Sequence, residues 1–119
     1  MAYEIKEKEG YFLYKASGLY TVQDIEGLIQ NFDKKMEKDP NAKFLLDYSE
    51  MTNFEQRALK TAYDRMEQGF PKGVKIAIVY NKGGYLYHIL DMAAKSIAQN
   101  ARFFGGSEEA EKWLLGTTS

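Results

Sequence analysis

The residues with the most chemistry to offer fall in one run, FLLDYSEMTNFEQRALKTAYD, residues 44–64. Asp47, Glu50, Glu55 and Asp64 supply carboxylates that could serve as an acid–base pair if the fold brought two of them together. Their local context argues for simpler roles: Glu55 suits a helix cap, and Asp64 suits an ion pair with a neighbouring base. Ser49 and Thr52 are hydroxyls open to phosphorylation, yet Thr52 is placed to cap a helix and Ser49 to hydrogen-bond within a loop. Outside this run the only histidine is His88, with Asp91 three residues on and on the same helical face. A His–Asp pair can orient a general base, but no nucleophile accompanies it, and one His is too few for a metal. Asn81-Lys82-Gly83-Gly84 could cradle an anion with its backbone N–H groups. It lacks the spacing of a phosphate-binding or dinucleotide loop, so a plain glycine turn competes with that reading. No catalytic residue, metal ligand or cofactor is expected.

The elements that must position these groups follow from periodicity. Tyr3 to Lys8 alternates apolar and charged residues, Glu9-Gly10 is a turn, and Tyr11 to Ala16 is a second strand, together a hairpin. Thr21 is a helix N-cap with Asp24 in the first turn. Val22, Ile25, Ile29, Phe32 and Met36 then form an apolar stripe that ends at Asp39-Pro40. Lys43 to Tyr48 is a third strand whose Phe44-Leu45-Leu46 run suits a doubly covered position. Thr52-x-x-Glu55 and Asn53-x-x-Gln56 both fit a capping box, so the second helix should start near Thr52 or Asn53 and end at Gly69 and Pro71. Val74 to Tyr80 is a fourth strand. A third helix is expected over 85–99, a short extended piece over Arg102 to Phe104, and a last helix capped by Ser107. Strands alternating with helices predict an α/β fold: a mixed sheet of four to five strands, mostly parallel, with an antiparallel N-terminal hairpin and four covering helices. One domain spans 1–119, its ordered core about 3–115.

Composition excludes several classes. Of 119 residues, 45% are hydrophobic, enough for one core, and the net charge of -1 leaves no basic excess for nucleic acid. The absence of cysteine rules out disulfides and thiolate chemistry and fits a cytoplasmic protein. The charged opening MAYEIKEKEG has no apolar signal region, and the run Ile76 to Tyr80 is far too short to span a membrane.

The order of elements, with LLDYSEMT after the third strand, resembles the STAS domain, the SpoIIAA-like fold of bacterial anti-sigma-factor antagonists. The ending Phe103-Phe104-x-x-Ser107-Glu108-Glu109-Ala110-x-x-Trp113-Leu114 is similar to a SpoIIAA-like subgroup, itself similar in fold to CRAL-TRIO lipid-binding domains. In the family, a helix opening with aspartate-serine-serine-glycine carries the phosphorylated serine. The corresponding residues here are Glu55-Gln56-Arg57-Ala58, so the resemblance places Gln56, which has no hydroxyl, at the phosphoacceptor position.

Two groups of site residues are expected. Ligands of open α/β sheets favour the carboxyl ends of the strands. That puts a ligand or partner loop at Asp47, Ser49, Thr52, Asn53 and Gln56, joined by Asn81, Gly83, Gly84 and Tyr85. The extra apolar width of two helices at Tyr63, Met66, Tyr87, His88 and Met92 marks deeper burial in the core, a subunit interface or an apolar pocket. The resemblance implies a non-enzymatic module that binds a protein partner or itself, as a homodimer. The alternative it implies is a carrier of lipid or another small apolar molecule; an enzyme is the weakest alternative.

Overall fold

Apolar side chains at every second position make Tyr11–Tyr20 one long strand: Tyr14, Ala16 and Tyr20 are buried on one face. The structure, a computed structural model, describes residues 3–80 and 100–116. Its elements are β1 (Tyr3–Lys8), β2 (Tyr11–Tyr20), α1 (Val22–Lys38), β3 (Lys43–Phe54), α2 (Gln56–Glu67), β4 (Lys75–Val79), β5 (Ala101–Phe104) and α3 (Ser107–Leu115). They form one sheet in the order β1-β2-β3-β4-β5. β1 and β2 are antiparallel, and every other neighbouring pair is parallel. The expected α/β architecture and mixed sheet are therefore present. Three helices lie among the described residues; the helix expected over 85–99 falls outside them.

The steps from β2 to β3 and from β3 to β4 run the same way across the sheet. Right-handed crossovers then place α1 and α2 on the same face. There Ile25, Leu28, Phe32 and Met36 of α1 meet Tyr14, Phe44, Leu46 and Ile76 of the sheet. Phe32 stacks on Phe44 with ring centroids 3.9 Å apart, and Tyr14 meets Phe32 edge-on at 4.9 Å. The other face of the sheet packs Tyr11, Leu45, Ala77 and Val79 against Ala110 and Leu114 of α3. The run Phe44-Leu45-Leu46 is apolar throughout because alternate residues serve these two cores.

Four boundaries differ from expectation. β2 continues past Ala16 to Tyr20, and β3 past Tyr48 to Phe54, because the two segments pair with each other as far as Tyr20↔Phe54. The second helix accordingly starts at Gln56, not at Thr52 or Asn53, and its N-cap Glu55 makes no side-chain capping bond. Thr52 and Asn53 are strand residues. Long-range strand pairing has outcompeted two local capping boxes. Ser107 is the first residue of α3, whose N-cap is Gly106, again without a side-chain bond. Thr21, by contrast, caps α1 with a full capping box: its hydroxyl accepts from Asp24 N–H at 3.2 Å, and its own N–H donates to the Asp24 carboxylate at 2.9 Å.

This contrast gives an expected outcome. Thr21→Ala should lower stability by about 1 kcal/mol, as loss of a cap does. Thr52→Ala, at an exposed strand residue, should stay within about 0.5 kcal/mol of the parent. Urea titrations of the two variants check it; a larger loss from Thr52→Ala would restore the capping role to that residue.

Candidate interaction surface

Asp47 organises the end of β3. Its Oδ1 accepts from Ser49 N–H at 3.0 Å and from the Ser49 hydroxyl at 2.6 Å. A backbone donor turned toward a side chain two residues back is lost to the ladder, and the strand bulges there. Lys15 pairs with Asp47 and Ser17 with Glu50, so Ala16 alone of β2 stands against Tyr48 and Ser49. A second shift follows: Gly18 pairs with Met51 and Leu19 with Asn53, leaving Thr52 extra. Each bulge inverts the in–out alternation, and two together restore it. Tyr48, Met51 and Phe54 thus all pack toward the α1/α2 face, at spacings that an unbroken strand could not give. Glu50, on the other side, forms an ion pair with Lys15 at 2.9 Å. That bond and charge raise the Lys15 pKa above its ordinary value.

Beneath this ribbon, Tyr20 and Tyr48 meet hydroxyl to hydroxyl at 3.3 Å. Burial pushes the Tyr48 hydroxyl up to about 12, with the bond to Tyr20 pulling the other way. Glu55 ties the ribbon to α1: its N–H donates to the Tyr20 carbonyl at 2.8 Å, and its Oε1 accepts from Val22 N–H at 2.9 Å. It therefore satisfies the open N-terminus of α1, not that of its own helix. The outcome is an exposed ridge. Ser49, Glu50, Thr52, Asn53 and Gln56 are all exposed, and Leu19 keeps 51% of its surface in water. β1 reaches only as far as Ala16, so the last residues of β2 have β3 as their one strand neighbour among the described residues.

Of the expected loop, then, Asp47, Ser49, Thr52 and Asn53 lie within β3 and Gln56 opens α2, so this half is a strand ribbon and not a loop. Asn53 accepts from the neighbouring Phe54 N–H at 2.8 Å. Asn81, Gly83, Gly84, Tyr85, Tyr87, His88, Asp91 and Met92 lie outside the described residues. The carboxylates do not converge: Asp47 holds Ser49, Glu50 pairs with Lys15, Glu55 holds α1, and Asp64 pairs with Lys60 at 3.0 Å. No group of three acids or histidines able to hold a metal occurs among the described residues.

The apolar pair expected on α2 separates. Tyr63 is 39% exposed, its hydroxyl hydrogen-bonded to Glu67, which raises its pKa. Met66 lines a cleft between α1, α2 and the sheet with Ile25, Ile29, Phe32, Tyr48 and Phe70. The cleft offers only about 70 Å³. Arg65 lies beside it, 4.6 Å over the Phe70 ring and ion-paired to Asp33 at 2.9 Å. On the opposite face a groove of about 380 Å³ is lined by Lys6, Lys8, Lys15, Asp47, Glu108 and Glu111. Its charges are mixed, so it presents no single sign to a ligand. At its margin Tyr11 donates to Glu111 at 2.6 Å; burial first, then Glu111, pushes the Tyr11 hydroxyl up to about 12.

Leu19, the Lys15–Glu50 pair and the bond from Glu55 to α1 escaped sequence reasoning. One signal was available: the alternation Tyr14, Ala16, Gly18, Tyr20 continues the strand and turns Leu19 outward.

A family model described as SpoIIAA-like matches residues 12–115. No curated protein matches the sequence. The solved structures that share the fold include the following three. One is an uncharacterized DUF3478-family protein with a SpoIIAA-like fold from Shewanella loihica PV-4, 21% identical, with a TM-score of 0.68 over 95% of this chain and 92% of that one. A second is an anti-sigma factor antagonist from Mycobacterium paratuberculosis, 14% identical, with a TM-score of 0.70 over the same shares. The third is the anti-sigma factor antagonist SpoIIAA in its unphosphorylated form, 7% identical, with a TM-score of 0.72 over 98% of this chain and 100% of that one.

Proposed function

The chain belongs to the SpoIIAA-like family, and on that premise we propose that it is a non-enzymatic, cytoplasmic interaction module, one STAS-like unit, whose protein partner docks on the ridge formed by the ends of β2 and β3 and the start of α2. The observation that carries this reading is the double-bulged ribbon itself. It holds Leu19 out in water at the carboxyl end of the sheet while anchoring Met51 and Phe54 underneath. An apolar side chain on a ribbon fixed by bulges is pre-organised, so little ordering entropy opposes docking. The solved neighbours that are anti-sigma factor antagonists agree with a regulatory role. Because Gln56 carries no hydroxyl, a partner at this ridge is not released by phosphorylation at that position.

Among the described residues the carrier reading has less support. Pockets for small molecules usually enclose about 300 Å³ or more, and the apolar cleft under α1 and α2 has about 70 Å³. No helix of the described residues is long and apolar enough to cross a membrane.

The test is affinity capture of the full chain from its own cells, beside a Leu19→Glu variant. The expected result is one protein retained in stoichiometric amount by the parent and lost by Leu19→Glu, with the melting temperature unchanged because Leu19 is exposed. Identical captures from both, or an extractable apolar molecule in place of a protein, would overturn the reading.

A further inference from the structure

We propose that two copies of this chain join edge to edge through β1, antiparallel about a twofold axis, so that the sheet of one copy continues into the other. β1 stands at the end of the strand order, with β2 as its one strand neighbour among the described residues. The turn Glu9-Gly10 closes on the pair Lys8↔Tyr11, with Gly10 at φ +90°. A two-residue hairpin closes on a pair that exchanges both hydrogen bonds. Lys6↔Leu13 and Glu4↔Lys15 then carry the inward ladder. The N–H and C=O groups of Tyr3, Ile5 and Glu7 consequently point away from β2, toward the open edge.

Open edges are commonly protected by charge, which repels an incoming strand. Here the signs alternate, and alternating signs become complementary against a reversed copy of the same strand. Glu4, Lys6 and Lys8 project from the face that carries the groove; Ile5 projects from the other and is 38% exposed. With the twofold axis centred on Ile5, Ile5 meets Ile5 of the second copy, and Glu4 meets Lys6 of the second copy on each side of the axis. All the outward N–H and C=O groups of Tyr3, Ile5 and Glu7 find partners in that register. Moving the axis to Lys6 would oppose Lys6 to Lys6 and Ile5 to Glu7, losing the apolar pair and adding a repulsion. The charge pattern therefore selects both the occupant, a second copy, and the register. This edge is separate from the ridge proposed for the protein partner, and either proposal can fail without the other.

Sedimentation equilibrium of the full chain over a dilution series tests the pairing. A dimer that dissociates on dilution is expected. Ile5→Pro removes an N–H that faces outward and that β2 does not use, a position where an edge strand tolerates proline. It should therefore give a monomer with an unchanged circular dichroism spectrum. Lys6→Glu sets two carboxylates against each other on each side of the axis and should raise the dissociation constant about tenfold. The double swap Glu4→Lys/Lys6→Glu restores opposite signs and should recover the parent value. A monomeric mass at every concentration, a dimer indifferent to Ile5→Pro, or a double swap that recovers nothing would each overturn the proposal.

Discussion

Replacing Phe44 with alanine is expected to remove about 3–5 kcal/mol of stability, the usual cost of deleting a buried aromatic side chain. The site leaves little room for relaxation. Phe44 has no exposed surface and lies on β3, which is hydrogen-bonded on both sides. Its ring stacks on Phe32 at 3.9 Å and lies 5.8 Å from Phe12 and 5.9 Å from Tyr14. The loss therefore combines the transfer term, a cavity that the sheet backbone cannot close, and aromatic contacts worth about 0.5–1.5 kcal/mol per pair beyond area. Domains of this size are held by about 5–15 kcal/mol in all, so this one change could take most of the margin. Phe44→Leu, which keeps much of the volume and loses the stacking, should cost about 1–2 kcal/mol. Urea unfolding followed by fluorescence and circular dichroism measures both, the midpoint falling with the slope unchanged. A loss below about 1 kcal/mol for Phe44→Ala would mean that the Phe32–Phe44 stack does not hold α1 to the sheet.

The features legible in the sequence are those that repeat. The α1 stripe was readable because Ile25, Ile29, Phe32 and Met36 recur on one helical face, and the Thr21 cap because a threonine stands immediately before that stripe with Asp24 in the first turn. β4 and the doubly buried stretch of β3 were readable because apolar runs bounded by polar residues have few alternatives. The ribbon beyond Tyr48 was not. Ser49-Glu50-Met51-Thr52-Asn53 has no period of two, since two bulges interrupt it, and its pairing partner lies on a strand far earlier in the chain. Local capping signals at Thr52 and Asn53 were real as chemistry but lost to a ladder that only the tertiary fold supplies. The candidate site was legible in its composition and not in its form. Asp47, Ser49, Thr52, Asn53 and Gln56 do share one end of the sheet, but Leu19, which the interaction reading needs, stands between the expected end of the second strand at Ala16 and the Thr21 cap, outside both expected groups.

Asp47→Ala is expected to weaken the ridge more than any change made on its surface. Asp47 retains only 8% of its surface, and one of its two carboxylate oxygens, Oδ1, accepts from both the backbone N–H and the hydroxyl of Ser49. Bonds to a charged acceptor are worth about 1.5–3 kcal/mol. Two features lower the net loss: removing the carboxylate also relieves its desolvation, and the freed groups of exposed Ser49 can turn to water. We expect about 2 kcal/mol. The larger consequence is geometric. Without the bulge at Tyr48–Ser49, the alternation beyond it inverts, sending Met51 outward and Glu50 inward until the second bulge at Thr52. The Lys15–Glu50 ion pair and the seat of Met51 would both be lost, and partner capture with them. Asp47→Asn keeps an acceptor oxygen at the same place, so it should preserve the bulge and retain the partner, with a loss below about 1 kcal/mol from the weaker uncharged bonds. Native-state amide exchange at Ser49, Glu50 and Met51, read beside partner capture, separates the possibilities. Fast exchange there in Asp47→Ala, with parent-like exchange at Phe44 to Leu46, would place the effect in the bulge. Uniformly faster exchange would mean general destabilisation, and unchanged exchange would remove Asp47 from its role as organiser of the ridge.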